Sequence, residues 1–572
     1  MKILFLCHSF NSLSQKLYVD LIAQRHELYV EFDINDEMTA SAVDTIRPDL
    51  IIAPFLKRAI AESIWTQYTC LIVHPGPVGD RGPSALDWAV LKEEPQWGVT
   101  VLQANEVWDG GDVWAHRTFA MRSGRKASLY RKEVTRAASE AVLEAIDNIV
   151  AKRRPQAQAS FADEVSGHWQ GPVGQQHRAI NWHEDSSDTV IRKINSGDGF
   201  PGTLTQLLGQ DIYVYDAQMA LTCPQSVAPV TAYPVLGFQN DAICVATADG
   251  AIWIGHLRVK SGTKSLKLPA ALVFQTRYPY TADWQLDEVL AYQDIRIHIA
   301  NEIGYLYFDF YNGAMSTKQC KRLLTLLQQL KHEPIQALVL MGGCDFWSNG
   351  IDLNTIEYAE SPADESLENI QAMNDLCLEV INTTDKLTCS VMRGNAGAGG
   401  VFLAMAADFV LADQHIVLNP HYKSMGNLYG SEYWTYLLPK RVGQQQAEVI
   451  MANRLPVSAE EAKRLGIVDG LFSREDTIND WLDDKLKQLP ALLEAKQATR
   501  KQDEMKKPLI EYRNEEIQQM MLNFYGFDPS YHVARYHFVH KTAKSRTPPY
   551  LAPHRRVRQN SINTTGQPRT AL

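Results

Sequence analysis

The chain has 572 residues, too many for a single hydrophobic core, so roughly two to four domains are expected. Its 45% hydrophobic and 21% charged residues are those of an ordinary globular protein, and a formal net charge of −10 argues against nucleic-acid binding. No apolar run approaches the roughly 18 residues of a membrane span, and the N-terminal MKILFLCHSF has no signal-peptide cleavage pattern, so a cytoplasmic protein with no membrane contact is expected.

The eight cysteines (Cys7, Cys70, Cys223, Cys244, Cys320, Cys344, Cys377 and Cys389) are scattered without CxxC spacing. That predicts reduced thiols acting as small buried hydrophobes, with no metal site.

In chain order, KILFLC, ELYVEFDI, LIIAPFL and CLIVH read as short strands, with helices at Leu17 to Gln24 and Ala85 to Leu91. Strand–helix alternation predicts a Rossmann-like parallel sheet, in which ligands sit beyond the carboxyl ends of the strands. His74 lies at such an end, before the stiff loop PGPVGDRGP. Gly98 to Ala120 reads as strand, loop and strand, with the turn Trp108-Asp109-Gly110-Gly111-Asp112 able to aim Asp109 inward, although Asp and Gly are also plain turn formers. A long helix follows from Ser128 to the basic cluster before Pro155, and then a polar stretch over 156–179 that reads as a linker.

Residues 178–285 change to short strands with turns between them, predicting a small β-barrel. After about 290 strands and helices alternate again, beginning with IRIHIANEIGYLYFDF and a helix that Ser316 caps. WSNGIDL (347–353) and GNAGAGG (394–400) stand out, the second opening a helix. The tail carries Lys541, Lys544, Arg546, Arg555, Arg556, Arg558 and Arg569 and no acid.

Two family resemblances organise these motifs. CLIVHPGP, GVT (98–100) and Asp109-Gly-Gly-Asp112 resemble, in order and spacing, the folate-dependent formyltransferases that act on methionyl-tRNA and glycinamide ribonucleotide. The resemblance spans roughly residues 1–285, because many of those enzymes carry a small barrel. It implies His74 as proton shuttle, Asp109 as its orienting carboxylate, and 10-formyltetrahydrofolate as formyl donor. One position departs. The family's asparagine, two residues before the histidine, is Ile72 here, so an oxyanion donor is lost and an acceptor such as a thiol is favoured.

WSNGIDL, GNAGAGG and AKRLGIVDGLF resemble the crotonase (enoyl-CoA hydratase/isomerase) superfamily over roughly residues 290–480. That implies an oxyanion hole from the backbone N–H groups of Asn349 and Gly399. It also implies a coenzyme A site along Ser348, Ile351, Asp352 and Leu353. The positions at which hydratases carry glutamates fall on Phe402 and His421, so hydration chemistry is not expected. Among the polar residues of NPHYKSMGNLYGSEYW, which include His421, Tyr422 and Lys423, Tyr429 and Glu432 are the preferred catalytic candidates. An arginine, Arg535 or Arg555, is expected to grip a coenzyme A phosphate.

The expected domains are therefore 1–165, formyltransferase-like and Rossmann-like; 166–285, linker and OB-like barrel; and 286–572, crotonase-like with the tail. The combination resembles the HypX/HoxX family of nickel–iron hydrogenase maturation factors. It implies a bifunctional enzyme that passes a formyl group to coenzyme A and decarbonylates formyl-CoA to carbon monoxide, the ligand of the hydrogenase iron. The implied partners are small molecules and the hydrogenase large-subunit precursor or other maturation proteins. Two alternatives stay open: an amine formyltransferase with a regulatory half that binds coenzyme A, and a non-catalytic maturation scaffold.

Overall fold

The computed structural model describes residues 1–161, 167–220, 235–261, 265–275 and 292–555. They form two units: Met1–His177 with the tail from Ala543, and Arg178–Thr542.

In the first unit, strands β1 (Lys2–Cys7), β2 (Glu27–Phe32), β3 (Leu50–Phe55), β4 (Cys70–His74), β5 (Gln96–Gln103) and β6 (Val113–Ala120) form one sheet in the order β2-β1-β3-β4-β5-β6. The first four are parallel and nearly wholly buried, as β-branched and leucine-rich runs in a covered sheet should be. β5 runs antiparallel to both β4 and β6, so the parallel sheet expected from the first four strands becomes mixed at the strand–loop–strand segment. The helix predicted from Ser128 is interrupted by a π turn at Tyr130–Val134 before Thr135–Val150.

The stretch that reads as a linker folds back onto the loop that carries His74. Gln156 pairs with Val113, Trp169 bridges to Arg81, and the Trp88 indole donates to Gly171 O.

The tail corrects the expected boundaries. They place it in the C-terminal domain, yet it packs on β2: Val30 N–H donates to Leu551 O at 3.1 Å and Phe32 N–H to Thr547 Oγ1 at 2.8 Å. The reason is Glu31, a fully buried acid mid-strand. It accepts from Thr547 Oγ1 (2.6 Å), His554 Nε2 (3.0 Å) and Arg555 (Nε 3.1 Å, terminal nitrogen 2.6 Å). A buried carboxylate needs such donors, and among the described residues the tail brings them. Arg556, Arg558 and Arg569, Cys223 and the expected boundary at 285 lie outside the described residues.

The second unit opens with β7 (Thr203–Leu207), β8 (Gln210–Met219), β9 (Val235–Gln239), β10 (Ala242–Ala246), β11 (Ala251–Val259) and β12 (Leu268–Pro269). They form an antiparallel sheet in the order β7-β8-β11-β10-β9, with β12 also on β11. Next comes a hairpin, β13 (Ile295–Ala300) and β14 (Ile303–Phe308), turned at Asn301 and Glu302. Both have positive φ, as a two-residue hairpin turn requires.

β14 then heads a parallel array with β15 (Ala337–Leu340), β17 (Leu387–Met392), β19 (Phe409–Asp413) and β22 (Gly470–Phe472). A smaller sheet holds β16 (Phe346–Ser348), β18 (Asn395–Gly397), β20 (Val417–Asn419) and β21 (Val457–Ser458). The Thr317–His332 helix starts in a Ser316/Gln319 capping box and buries Cys320, Leu323, Leu327 and Leu330. Helices Leu489–Lys506, Leu509–Tyr525 and Ser530–Val539 complete the unit. Among the described residues, no helix is long and apolar enough to cross a membrane, and no cluster of three His, Cys, Asp or Glu could hold a metal.

Candidate active sites

In the first unit His74 ends β4 opposite Thr100 of β5 and is 4% exposed. Its ring lies between two carboxylates. Nε2 is 2.8 Å from Asp80 Oδ2 and Nδ1 is 3.5 Å from Asp109 Oδ1. A neutral imidazole has one N–H and can donate to only one of them; the imidazolium can donate to both.

Each carboxylate is held in turn. Asp109 Oδ2 accepts from Gly82 N–H (3.2 Å), and Asp80 Oδ1 from Gln170 Nε2 (3.3 Å). Gln158 Nε2 donates to Asp109 O and Gly111 O, fixing a turn in which Asp109 has φ 53°. Trp97 and Thr100 bind Pro75 O and Gly76 O, which pins the loop after the histidine. A cleft of about 400 Å³ opens beside this loop, lined by Gly79, Arg81, Gln158, His168 and Trp169. Ile72 packs among apolar side chains and offers no donor.

Sequence reasoning misses Asp80, Gln158 and Gln170 as site residues. Asp80 is in view six residues after His74, but in a Gly/Pro loop an Asp reads as turn chemistry. The two glutamines lie in the supposed linker.

The second site surrounds Gly399, at the start of the Gly399–Met405 helix. Ala398, at φ 47° and ψ −128°, turns the chain sharply into it. Gly399 has no room for a side chain: a Cβ there would fall 2.4 Å from Glu432 Oε1. Glu432, 1% exposed, has Tyr422 Oη 2.5 Å from its Oε2, and burial raises its carboxyl to about 7 against the Tyr422 bond, which favours the charge. Tyr422 Oη also lies 3.0 Å from Ser431 O, and its ring stacks on Phe402 at 5.5 Å. The position that resemblance assigns to a hydratase acid therefore carries a ring supporting this tyrosine. His421 is buried, and burial and the charge of Arg454 lower it to about 4, so it is neutral at pH 7.

Three expectations change here. Tyr429 does not join Glu432: it is 36% exposed and its ring tilts on Trp434, while Tyr422 holds the place beside the carboxyl. The Asn349 amide is already spent on Gly313 O at 2.7 Å. Among the described residues, the Ile351 and Gly399 N–H groups have no internal acceptor, and a Cβ on Gly350 would lie 3.5 Å from Gly399 N, so these segments adjoin. Ser348 Oγ accepts from Gly350 N–H, Asp352 caps the short helix that Leu353 begins, and burial raises the Asp352 carboxyl.

The third concerns the arginines. Arg555 is committed to Glu31 of the first unit. Arg535, 5% exposed, donates to Glu357 at 2.8 Å. Neither guanidinium is a free phosphate grip.

Residues 307–542 match the enoyl-CoA hydratase/isomerase family, and residues 172–268 match the formyl transferase C-terminal domain. The chain is 50% identical over 561 residues to the hydrogenase maturation factor HoxX of Bradyrhizobium diazoefficiens, covering 97% of each. Among solved structures it is similar to HypX from Aquifex aeolicus in complex with tetrahydrofolic acid, with 44% identity, TM-score 0.91 and 100% of each chain covered. It is equally similar to a doubly substituted variant of the same Aquifex protein, with 45% identity and TM-score 0.91 over 98% of this chain and 99% of that one. Formyltransferase and crotonase segments on one chain, matched end to end at this identity, make the protein a member of the HypX/HoxX family of hydrogenase maturation factors.

Proposed function

We propose that this maturation factor makes carbon monoxide from a folate-borne formyl group in two steps. In the first, the coenzyme A thiol attacks the formyl carbon of 10-formyltetrahydrofolate, the C–N10 bond breaks, and formyl-CoA and tetrahydrofolate result. His74 takes the thiol proton and returns it to N10, while Asp80 and Asp109 stabilise the imidazolium between the two transfers. The absent amide at Ile72 suits a thiol, which ionises more readily than an amine acceptor. The tetrahydrofolate held by the Aquifex relative supports folate as donor.

In the second step the C–S bond of formyl-CoA breaks, the formyl proton moves to sulfur, and carbon monoxide and coenzyme A leave. The free amides of Ile351 and Gly399 polarise the thioester carbonyl. Glu432, balanced near neutrality, removes the formyl proton and hands it to the thiolate, so no net proton is consumed.

The observation that carries this reading is the buried Tyr422–Glu432 pair against Gly399, with Phe402 where a hydratase acid is expected. The test is to incubate the purified protein with 10-formyltetrahydrofolate and coenzyme A and to titrate the gas with a haem trap. Carbon monoxide that depends on both substrates is expected. Formyl loss without coenzyme A, or no gas, refutes the reading.

A further inference from the structure

The segment 429–435 that carries Glu432 has no regular structure until Trp434, and three of its residues have positive φ. Gly430, Glu432 and Tyr433 stand at 98°, 60° and 57°. Two consecutive non-glycine residues in the left-handed region are strained and persist only where surroundings impose them.

One helix imposes them. Leu509–Tyr525 presents Glu516, Met520 and Asn523, spaced i, i+4, i+7 on one face. Asn523 Oδ1 accepts from Tyr429 N–H (3.0 Å) and Met520 Sδ from Gly430 N–H (3.2 Å). Glu516 accepts from Tyr433 N–H (2.9 Å), Thr435 N–H (2.9 Å) and Thr435 Oγ1 (2.6 Å). From the opposite side Asn374 Oδ1 accepts from Ser431 Oγ (2.9 Å) and Glu432 N–H (2.8 Å). Glu516 is fully buried and unused by the chemistry above.

We propose that this helix face is a template for the strained segment, and that Glu516 is the positioning residue that holds Glu432 against Gly399 and whose charge strengthens it as a base. The inference rests on Glu432 being the group that moves the formyl proton.

Burial pushes both carboxyls above the usual range, and the charge of Glu432 raises Glu516 further, an interaction that is mutual. Three close donors at the start of the Trp434–Val442 helix face Glu516, and the Tyr422 hydroxyl and the Ser431 backbone face Glu432, each favouring the ionised form of the carboxyl it faces. Other titratable groups around them include the thiols of Cys320 and Cys377 and the phenols of Tyr429 and Tyr433, all raised by burial, with Arg513 beside Tyr433.

The test is an infrared pH titration of the full-length protein carrying carboxyl-labelled glutamate, with the Glu432 band identified by its loss in Glu432→Gln. Glu516→Gln removes the charge and keeps the shape; the Glu432 midpoint should fall by about one unit, a tenfold change in its ionisation constant. Glu516→Asp keeps the charge and shortens the reach; the midpoint should stay high while carbon monoxide release falls about tenfold. An unmoved midpoint in Glu516→Gln overturns the proposal, as does a fall in Glu516→Asp equal to that in Glu516→Gln. If the Gln variant does not fold, the Asp variant decides alone: a midpoint held high supports the template and a fallen one overturns it. The titration needs no formyl-CoA, so a failed gas assay refutes the decarbonylation and leaves this result standing.

Discussion

Replacing Tyr422 by phenylalanine removes one oxygen and little else. The ring is 5% exposed and stacked on Phe402, so the packing survives. What goes is a hydroxyl 2.5 Å from Glu432 Oε2 and 3.0 Å from Ser431 O. A hydrogen bond to a charged group contributes about 1.5–3 kcal/mol, and its loss here falls on the ionised form of Glu432. Decarbonylation should therefore slow by about 10- to 100-fold. The sign of the pH effect follows from the same bond. It favours the carboxylate, so without it Glu432 titrates above its present value of about 7, and the acid limb of the rate profile moves to higher pH. The assay is carbon monoxide release across pH from formyl-CoA generated in place. A rate within a factor of about two of the parent at every pH, or an acid limb shifted downward, would refute the role given to the pair.

Other outcomes follow from single contacts. His74→Ala should cut coenzyme A-dependent tetrahydrofolate release by about 10²- to 10⁴-fold, while gas release from supplied formyl-CoA continues. Gly399→Ala places a methyl group 2.4 Å from Glu432 Oε1, and decarbonylation should fall by about 10²-fold or more with formyl transfer unaffected. Burial alone would raise the Glu31 carboxyl, but the bonds from His554, Arg555 and Thr547 outweigh it and hold it below its ordinary value. A depressed folded value means that this stabilisation is present above the unfolded value and is lost as pH falls through the folded one. Hydrogen-exchange protection of the Val30 and Phe32 amides should drop in acid. In Glu31→Gln it should drop at neutral pH as well, by about 3–5 kcal/mol; protection unchanged in that variant contradicts the docking role.

Strands and helices with a clear period are legible in the sequence because burial repeats locally, and so is the place of His74 at a strand end. Asp109 can be singled out because a Gly-rich turn is a local signal, whereas Gly399 is reached through the resemblance of its motif and Glu432 only as one of several polar residues in its segment. Legibility ends where the deciding contact is remote. Whether Asn349 or Ile351 keeps a free amide depends on Gly313, 36 residues upstream of Asn349. Tyr422 and Tyr429 are alike on paper, and the choice between them is made by a loop whose backbone is set from Glu516, Met520 and Asn523. Arg555 answers an acid 524 residues away, and no pattern within a window of sequence carries that pairing.

The return of the tail to β2 also sets an order of events during synthesis. The first unit is translated early, yet the donors for Glu31 come from Thr547, His554 and Arg555. Until the ribosome has passed Arg555, a nascent first unit carries an uncompensated acid in its sheet. A chain cut before Thr547 would keep that defect.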